Sequence, residues 1–76
     1  MQIIYSKQAA KFLGRQDKPT RDRIKNAIDC LPNGDVKKLQ GKDGYRLRVG
    51  DYRVIFDSDG YVVLIIKIGS RGQIYK

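Results

Sequence analysis

The sequence predicts an α+β domain: an N-terminal strand, then two helices packed on one face of a mostly antiparallel sheet. Three observations carry that reading. Apolar residues recur at helical spacing in the first 31 positions, whereas residues 45–68 hold short runs rich in Tyr, Val and Ile separated by glycine turns. Helical patterns come early and hairpin patterns late, which segregates them into layers. No repeat, low-complexity tract or linker interrupts the chain, so residues 1–76 read as one domain.

Each element has its own justification. Residues 2–5 (QIIY) form a short apolar strand. Ser6 is placed to cap a helix whose Ala9, Phe12 and Leu13 share one side. Gly14 is expected to end that helix in a left-handed conformation. Residues 17–19 open a second helix, with proline tolerated in its first turn. Ile24, Ala27, Ile28 and Leu31 give this helix an apolar stripe, and Arg21, Arg23 and Lys25 fall on its other face. Pro32-Asn33-Gly34 stops it. Residues 35–44 (DVKKLQGKDG) read as a loop anchored by Val36 and Leu39. Three strands follow, at 45–49, 52–57 and 61–68. Gly50-Asp51 has the pattern of a type II′ turn, and Ser58-Asp59-Gly60 closes the next hairpin. The run YVVLIIKI is apolar on both alternating faces, which predicts a central strand covered on both sides. In the tail GSRGQIYK, residues 73–75 can add a short edge strand.

Composition narrows the function. At 76 residues with 41% hydrophobic content, the chain supports one core layer between sheet and helices. Sixteen Lys and Arg against eight Asp and Glu leave +8, a field that attracts polyanions such as RNA, DNA, anionic lipid or an acidic protein. No apolar run approaches the roughly 20 residues of a membrane span, and the opening residues lack a signal-peptide layout, so a cytoplasmic location and no membrane partner are expected. Without histidine, and with Cys30 as the only cysteine, neither a zinc site nor a disulfide is expected. Cys30 sits at the edge of the helical stripe and reads as a packing residue, since no histidine can activate it.

The hairpin YRLRVGDYRVIF carries the sharpest signal. A two-residue turn pairs Val49 with Tyr52, Arg48 with Arg53, Leu47 with Val54, Arg46 with Ile55 and Tyr45 with Phe56. Alternation then puts Tyr45, Leu47, Val49, Tyr52, Val54 and Phe56 on a core face. Arg46, Arg48 and Arg53 share the opposite face with Ile55. Two arginines directly opposed cost up to about 1 kcal/mol, so folding alone does not select them. An anion between them removes the repulsion, and guanidinium forks match phosphate oxygens in pairs. Arg71 and Tyr75, four residues apart in the tail, fall on one side if the tail is extended. Splayed, solvated arginines are the plain alternative.

The run KKLQGKDGYRLRVGDYRVIF resembles the L-x-G … Y-R-x-R-x-G-D-Y-R-x-x-Y/F stretch of the RelE/ParE toxin superfamily, the small basic toxins of bacterial toxin–antitoxin systems. The likeness covers most of the chain and implies a RelE-like β-α-α-β-β-β fold. RelE-like members are ribosome-dependent endoribonucleases that cut mRNA in the decoding site, whereas ParE-like members poison DNA gyrase and lack the nuclease residues. The ending I-G-S-R-G-Q-I-Y-K is similar to the RelE type. Carried over by position, Arg46 and Arg48 stand where relatives often hold lysines, and Arg53 stands at a phosphate-binding arginine. Arg71 matches an arginine that assists the leaving group, and Tyr75 a tyrosine that stacks on or orients the base. Lys37, Lys38, Lys42 and Lys67 complete the expected RNA-binding set. Arginine stays protonated, so it cannot replace a lysine as general base. Tyr75 and Lys67 are the candidate bases, and the ribosome is an alternative source of such a group.

The resemblance further implies a metal-independent reaction without cofactor, in which a 2′-hydroxyl attacks the neighbouring phosphate. The implied partners are a cognate antitoxin, the 70S ribosome and single-stranded mRNA. Two alternatives stay open on the sequence: a gyrase poison without nuclease activity, and a non-catalytic basic module that binds RNA or protein.

Overall fold

The computed structural model describes residues 2–74. Its elements run β1 (Gln2–Tyr5), α1 (Lys7–Gly14), α2 (Lys18–Asp29), β2 (Asp35–Lys38), β3 (Tyr45–Val49), β4 (Tyr52–Ser58) and β5 (Val62–Ser70). Among these residues the sheet has five strands in the order β1-β5-β4-β3-β2. β1 joins β5 in parallel, and every other pairing is antiparallel. The α+β class and the mostly antiparallel sheet follow the sequence reading.

The helices bury one face of the sheet. Ala9 and Leu13 of α1, Ile24 and Ile28 of α2, and Leu31 pack on Leu47, Val49, Val54, Phe56, Val63, Ile65 and Ile68. Tyr45 stacks on Phe56 with ring centroids 5.4 Å apart, and Phe12 meets Tyr52 edge-on at 5.9 Å. The helical spacing and the hairpin alternation select the members of this core from the helices, β3 and β4, whereas Val63, Ile65 and Ile68 are set by the packing of β5.

Ser6 joins three elements at one side chain. Its Oγ accepts from the Ala9 N–H at 3.1 Å, capping α1, and donates to the Ile66 carbonyl at 2.7 Å. That carbonyl needs an outside partner because β5 bulges there. Ile55 faces Lys67 but Phe56 faces Ile65, leaving Ile66 out of the ladder. Gln8 extends the seam, donating to the Ile68 carbonyl at 2.8 Å and accepting the Ile68 N–H at 2.9 Å.

Five expectations change. Residues 35–38 are a strand rather than loop, pairing Val36 with Leu47 at the sheet's edge. Charge is tolerated there because an edge strand has one flank in solvent. Gly14 is not left-handed: α1 closes through Arg15, whose N–H reaches the Lys11 and Phe12 carbonyls. β5 is covered on one face only, with Leu64 and Ile66 42% and 41% exposed, because both helices pack on the other. Residues 71–74 form a turn instead of an edge strand: the Gln73 and Ile74 N–H groups both reach the Ser70 carbonyl, and Ile74 folds over Gly69. Cys30 is exposed at the C-cap of α2, one position past the helix, and does not pack in the core.

Replacing Ser6 with Ala removes the cap and the bulge carbonyl's partner together. Urea unfolding should show a loss of about 1–2 kcal/mol. Asp59 supplies a pH-dependent contact in the β4–β5 turn, where its Oδ1 accepts from the Tyr61 and Val62 N–H groups at 2.9 and 2.8 Å. The Val62 N–H, then that of Tyr61, hold this carboxyl below its ordinary value. A lowered acid gives stability that is present above its unfolded pKa and lost as pH falls through the folded one. The melting temperature of Asp59→Ala should therefore lie furthest below wild type near neutrality. The gap should close in acid below about pH 4.

Candidate nucleic-acid interface

The Gly50-Asp51 turn sets the face on which the cations stand. Gly50 has φ +58° and Asp51 is not left-handed, the type II′ signature. The hairpin register is the one the sequence predicts, with Arg48 opposite Arg53 and Arg46 opposite Ile55. The neighbouring pairings extend this into two rows across the outer face. One runs Asp35, Arg48, Arg53, Gly69, and the other Lys37, Arg46, Ile55, Lys67.

The three arginines are not equivalent. Arg48 is exposed. Arg46 is largely covered and lies 3.4 Å from the half-exposed Asp35 carboxylate, while its Nε is buried with no partner among the described residues. Arg53, expected as a phosphate ligand, is only 7% exposed. Its Nη1 donates to the Gly50 carbonyl at 2.8 Å and the Tyr52 carbonyl at 2.9 Å. The opposed pair finds relief within the chain: Arg53 turns onto carbonyl dipoles, and Asp35 flanks Arg48 on its other side.

The remaining residues divide between two faces. Arg71 is exposed beyond β5, and its backbone N–H donates to the Asp51 carbonyl at 2.8 Å. Arg53 and Arg71 are therefore anchored to the same turn. Lys37 and Lys67 belong to the outer row, and Lys42 stands on the loop after β2. Lys38 pairs with Tyr45 on the opposite, core-side alternation, away from the arginines. Tyr75 lies outside the described residues. One cation was not legible as part of this region: Arg23 of α2 lies over Gly50, its Nη2 only 2.6 Å from where a Cβ would stand. Its helical spacing gives no hint of that contact, which is tertiary.

Beside the rows an open groove of about 490 Å³ is floored by Ile55, Ile66 and Ile74 and edged by Lys42 and Lys67. A second cleft, about 320 Å³, is lined by Leu31, Pro32, Tyr45, Phe56 and Val63 and contains no cation. Of these two depressions, the one edged by cations lies on the outer face.

A small α+β domain with two helices behind an open, cation-bearing sheet is the architecture of the RelE/ParE toxins. The chain belongs to this superfamily, matching the family described as ParE toxin of type II toxin–antitoxin system, parDE, over residues 3–75. It is 30% identical over 84 residues to Toxin RelE3 of Methanocaldococcus jannaschii, covering 99% of this chain and 96% of that protein. The fold is similar to the archaeal RelE–RelB complex of Pyrococcus horikoshii OT3, with TM-score 0.76, 33% identity, and 95% and 96% of the two chains covered. It is also similar to the RelB–RelE antitoxin–toxin complex of Methanococcus jannaschii, with TM-score 0.77, 28% identity and coverage of 95% and 94%. Its relatives place it on the RelE side.

Arg53→Ala should cost about 1.5–3 kcal/mol in chemical denaturation, because two carbonyls lose a charged donor.

Proposed function

We propose that the chain is a metal-independent endoribonuclease toxin that cleaves mRNA in the ribosomal decoding site and is restrained by a cognate antitoxin. The observation that carries this reading is the ordered cationic outer face, with Arg48 exposed between Asp35 and Arg53 and the Lys37–Arg46–Ile55–Lys67 row beside it. The reaction class is the one that the resemblance to RelE-like toxins implies.

In that reaction the 2′-oxygen attacks the adjacent phosphorus and loses its proton to a base. The bond from phosphorus to the 5′-oxygen breaks, and that oxygen takes up a proton. The products are a 2′,3′-cyclic phosphate and a 5′-hydroxyl. Arg48 and Arg46 serve the charge that grows on the non-bridging oxygens, a task for preorganised donors that need no proton transfer. Arg71 serves the leaving 5′-oxygen. Arg53 acts as a positioning residue, holding the turn to which the Arg71 backbone is tied. Tyr75 and Lys67 are the two groups available as proton acceptor. The ribosome orients the message.

The RelE–RelB complexes support a protein partner of the same kind here, an antitoxin with acidic residues to match the net charge of +8. One observation favours a second reading. With Arg53 committed to the turn, the cation set open to RNA is smaller than expected, which suits a gyrase poison of ParE type.

Purified protein added to a translation reaction, followed by primer extension on the message, tests the nuclease. Cuts within codons are expected, and Arg48→Ala or Arg71→Ala should lower the cleavage rate by about 10²–10³ with unchanged melting temperature. Tyr75→Phe distinguishes stacking from base catalysis: near-normal cleavage assigns stacking. Intact message together with a DNA-damage response on expression would replace this reading with the gyrase one.

A further inference from the structure

We propose that the groove between the loop after β2 and the β4–β5 surface is a slot for one unpaired nucleobase of the bound RNA. The proposal rests on the nuclease reading and adds where a base is held. Three separate devices bring its floor together. Ile55 stands on the outer side of β4, Ile66 is the residue that the bulge leaves out of the ladder, and Ile74 is folded back by the turn after β5. Close approach is built in, since a Cβ on Gly69 would come within 3.1 Å of Ile74 Cδ1. Ile66 stays 41% exposed, so this floor offers aliphatic surface to a ligand.

The chemistry of the lining selects the ligand. A bare polyphosphate gains nothing from an aliphatic floor and loses hydration against it. A nucleotide suits both parts, because its ring face is apolar and its phosphate lies to one side. Lys42 stands on the rim to meet that phosphate, with Lys67 beside it. Ile55 and Lys67 also belong to the row that contains Arg46 and Lys37, so the groove continues the cationic face. A strand whose backbone follows the row brings a base over the groove.

Gln40 and Asp43 add a hydrogen-bonding edge. A carboxylate repels phosphate but accepts N–H donors, and the Watson–Crick edge of an unpaired base is free to donate. Adenine, cytosine and guanine present an exocyclic amine there. Uracil presents two carbonyls and a single N–H. The slot should therefore favour amino-bearing bases over uracil.

Fluorescence anisotropy with labelled hexanucleotides tests this without ribosomes. The probes are oligocytidine, oligouridine and an abasic hexamer of equal charge. Oligocytidine should bind about tenfold more tightly than the abasic strand, and more tightly than oligouridine. Ile66→Gln should reduce oligocytidine to the abasic level and leave abasic binding unchanged. Asp43→Ala, on an exposed loop, should remove the difference between cytidine and uridine. Melting curves confirm that both variants fold. Equal binding of all three strands to the wild type, or unaltered oligocytidine binding by Ile66→Gln, overturns the slot and leaves the groove a phosphate path or a protein-docking surface. Cleavage on ribosomes is read separately. Base-dependent binding without cleavage sinks the nuclease reading and keeps the slot, whereas cleavage with base-independent binding does the reverse.

Discussion

The two-residue turn at Gly50-Asp51 is the constraint on which the cationic face depends. Its length fixes the pairing of β3 with β4, and a shift of one residue would put Arg53 on the opposite face from Arg46 and Arg48. Gly50 meets two requirements at once, a φ of +58° and the absence of a Cβ beneath the Arg23 guanidinium. The turn also provides carbonyls that hold Arg53 and Arg71 near each other. A feature three or four residues long thus orders charges drawn from a helix, a strand and the segment after β5.

Helices cover one face, and the other is left open with a mixture of isoleucines and cations. The bulge in β5 makes that mixture possible. Before it, Val63 and Ile65 point into the core; after it, Ile68 does, and the extra residue lets Ile66 and Lys67 both border the outer groove. Ser6 and Gln8, from the opposite end of the chain, satisfy the backbone groups around this irregularity. Open groove and structural seam therefore share one strand.

The sequence is most informative where a short local rule governs a long outcome. Ser6 as a cap, the stripe of Ile24 and Ile28, and the hairpin register all follow from spacing and appear as expected. The strand at Asp35–Lys38 is hidden because Val36 is its only apolar residue and an edge needs no more. The apolar run of β5 hides its bulge for the opposite reason: when every position is apolar, alternation carries no signal of a register change. Arg53 is illegible in another way. An arginine in a strand reads as surface, and only the turn carbonyls, unseen in one dimension, make its burial affordable. The pairing of Arg48 with Arg53 was visible, while its means of relief was not.

The parallel match of β1 with β5 joins Gln2 to Val62, so the sheet's first strand finds its neighbour 60 positions further along the chain. Contacts of such long separation postpone closure of the architecture. A nascent polypeptide that has not yet emerged past Val62 lacks the strand that α1 and β1 lean upon. Completion of the sheet, and of everything arranged on its open side, thereby waits on the synthesis of β5.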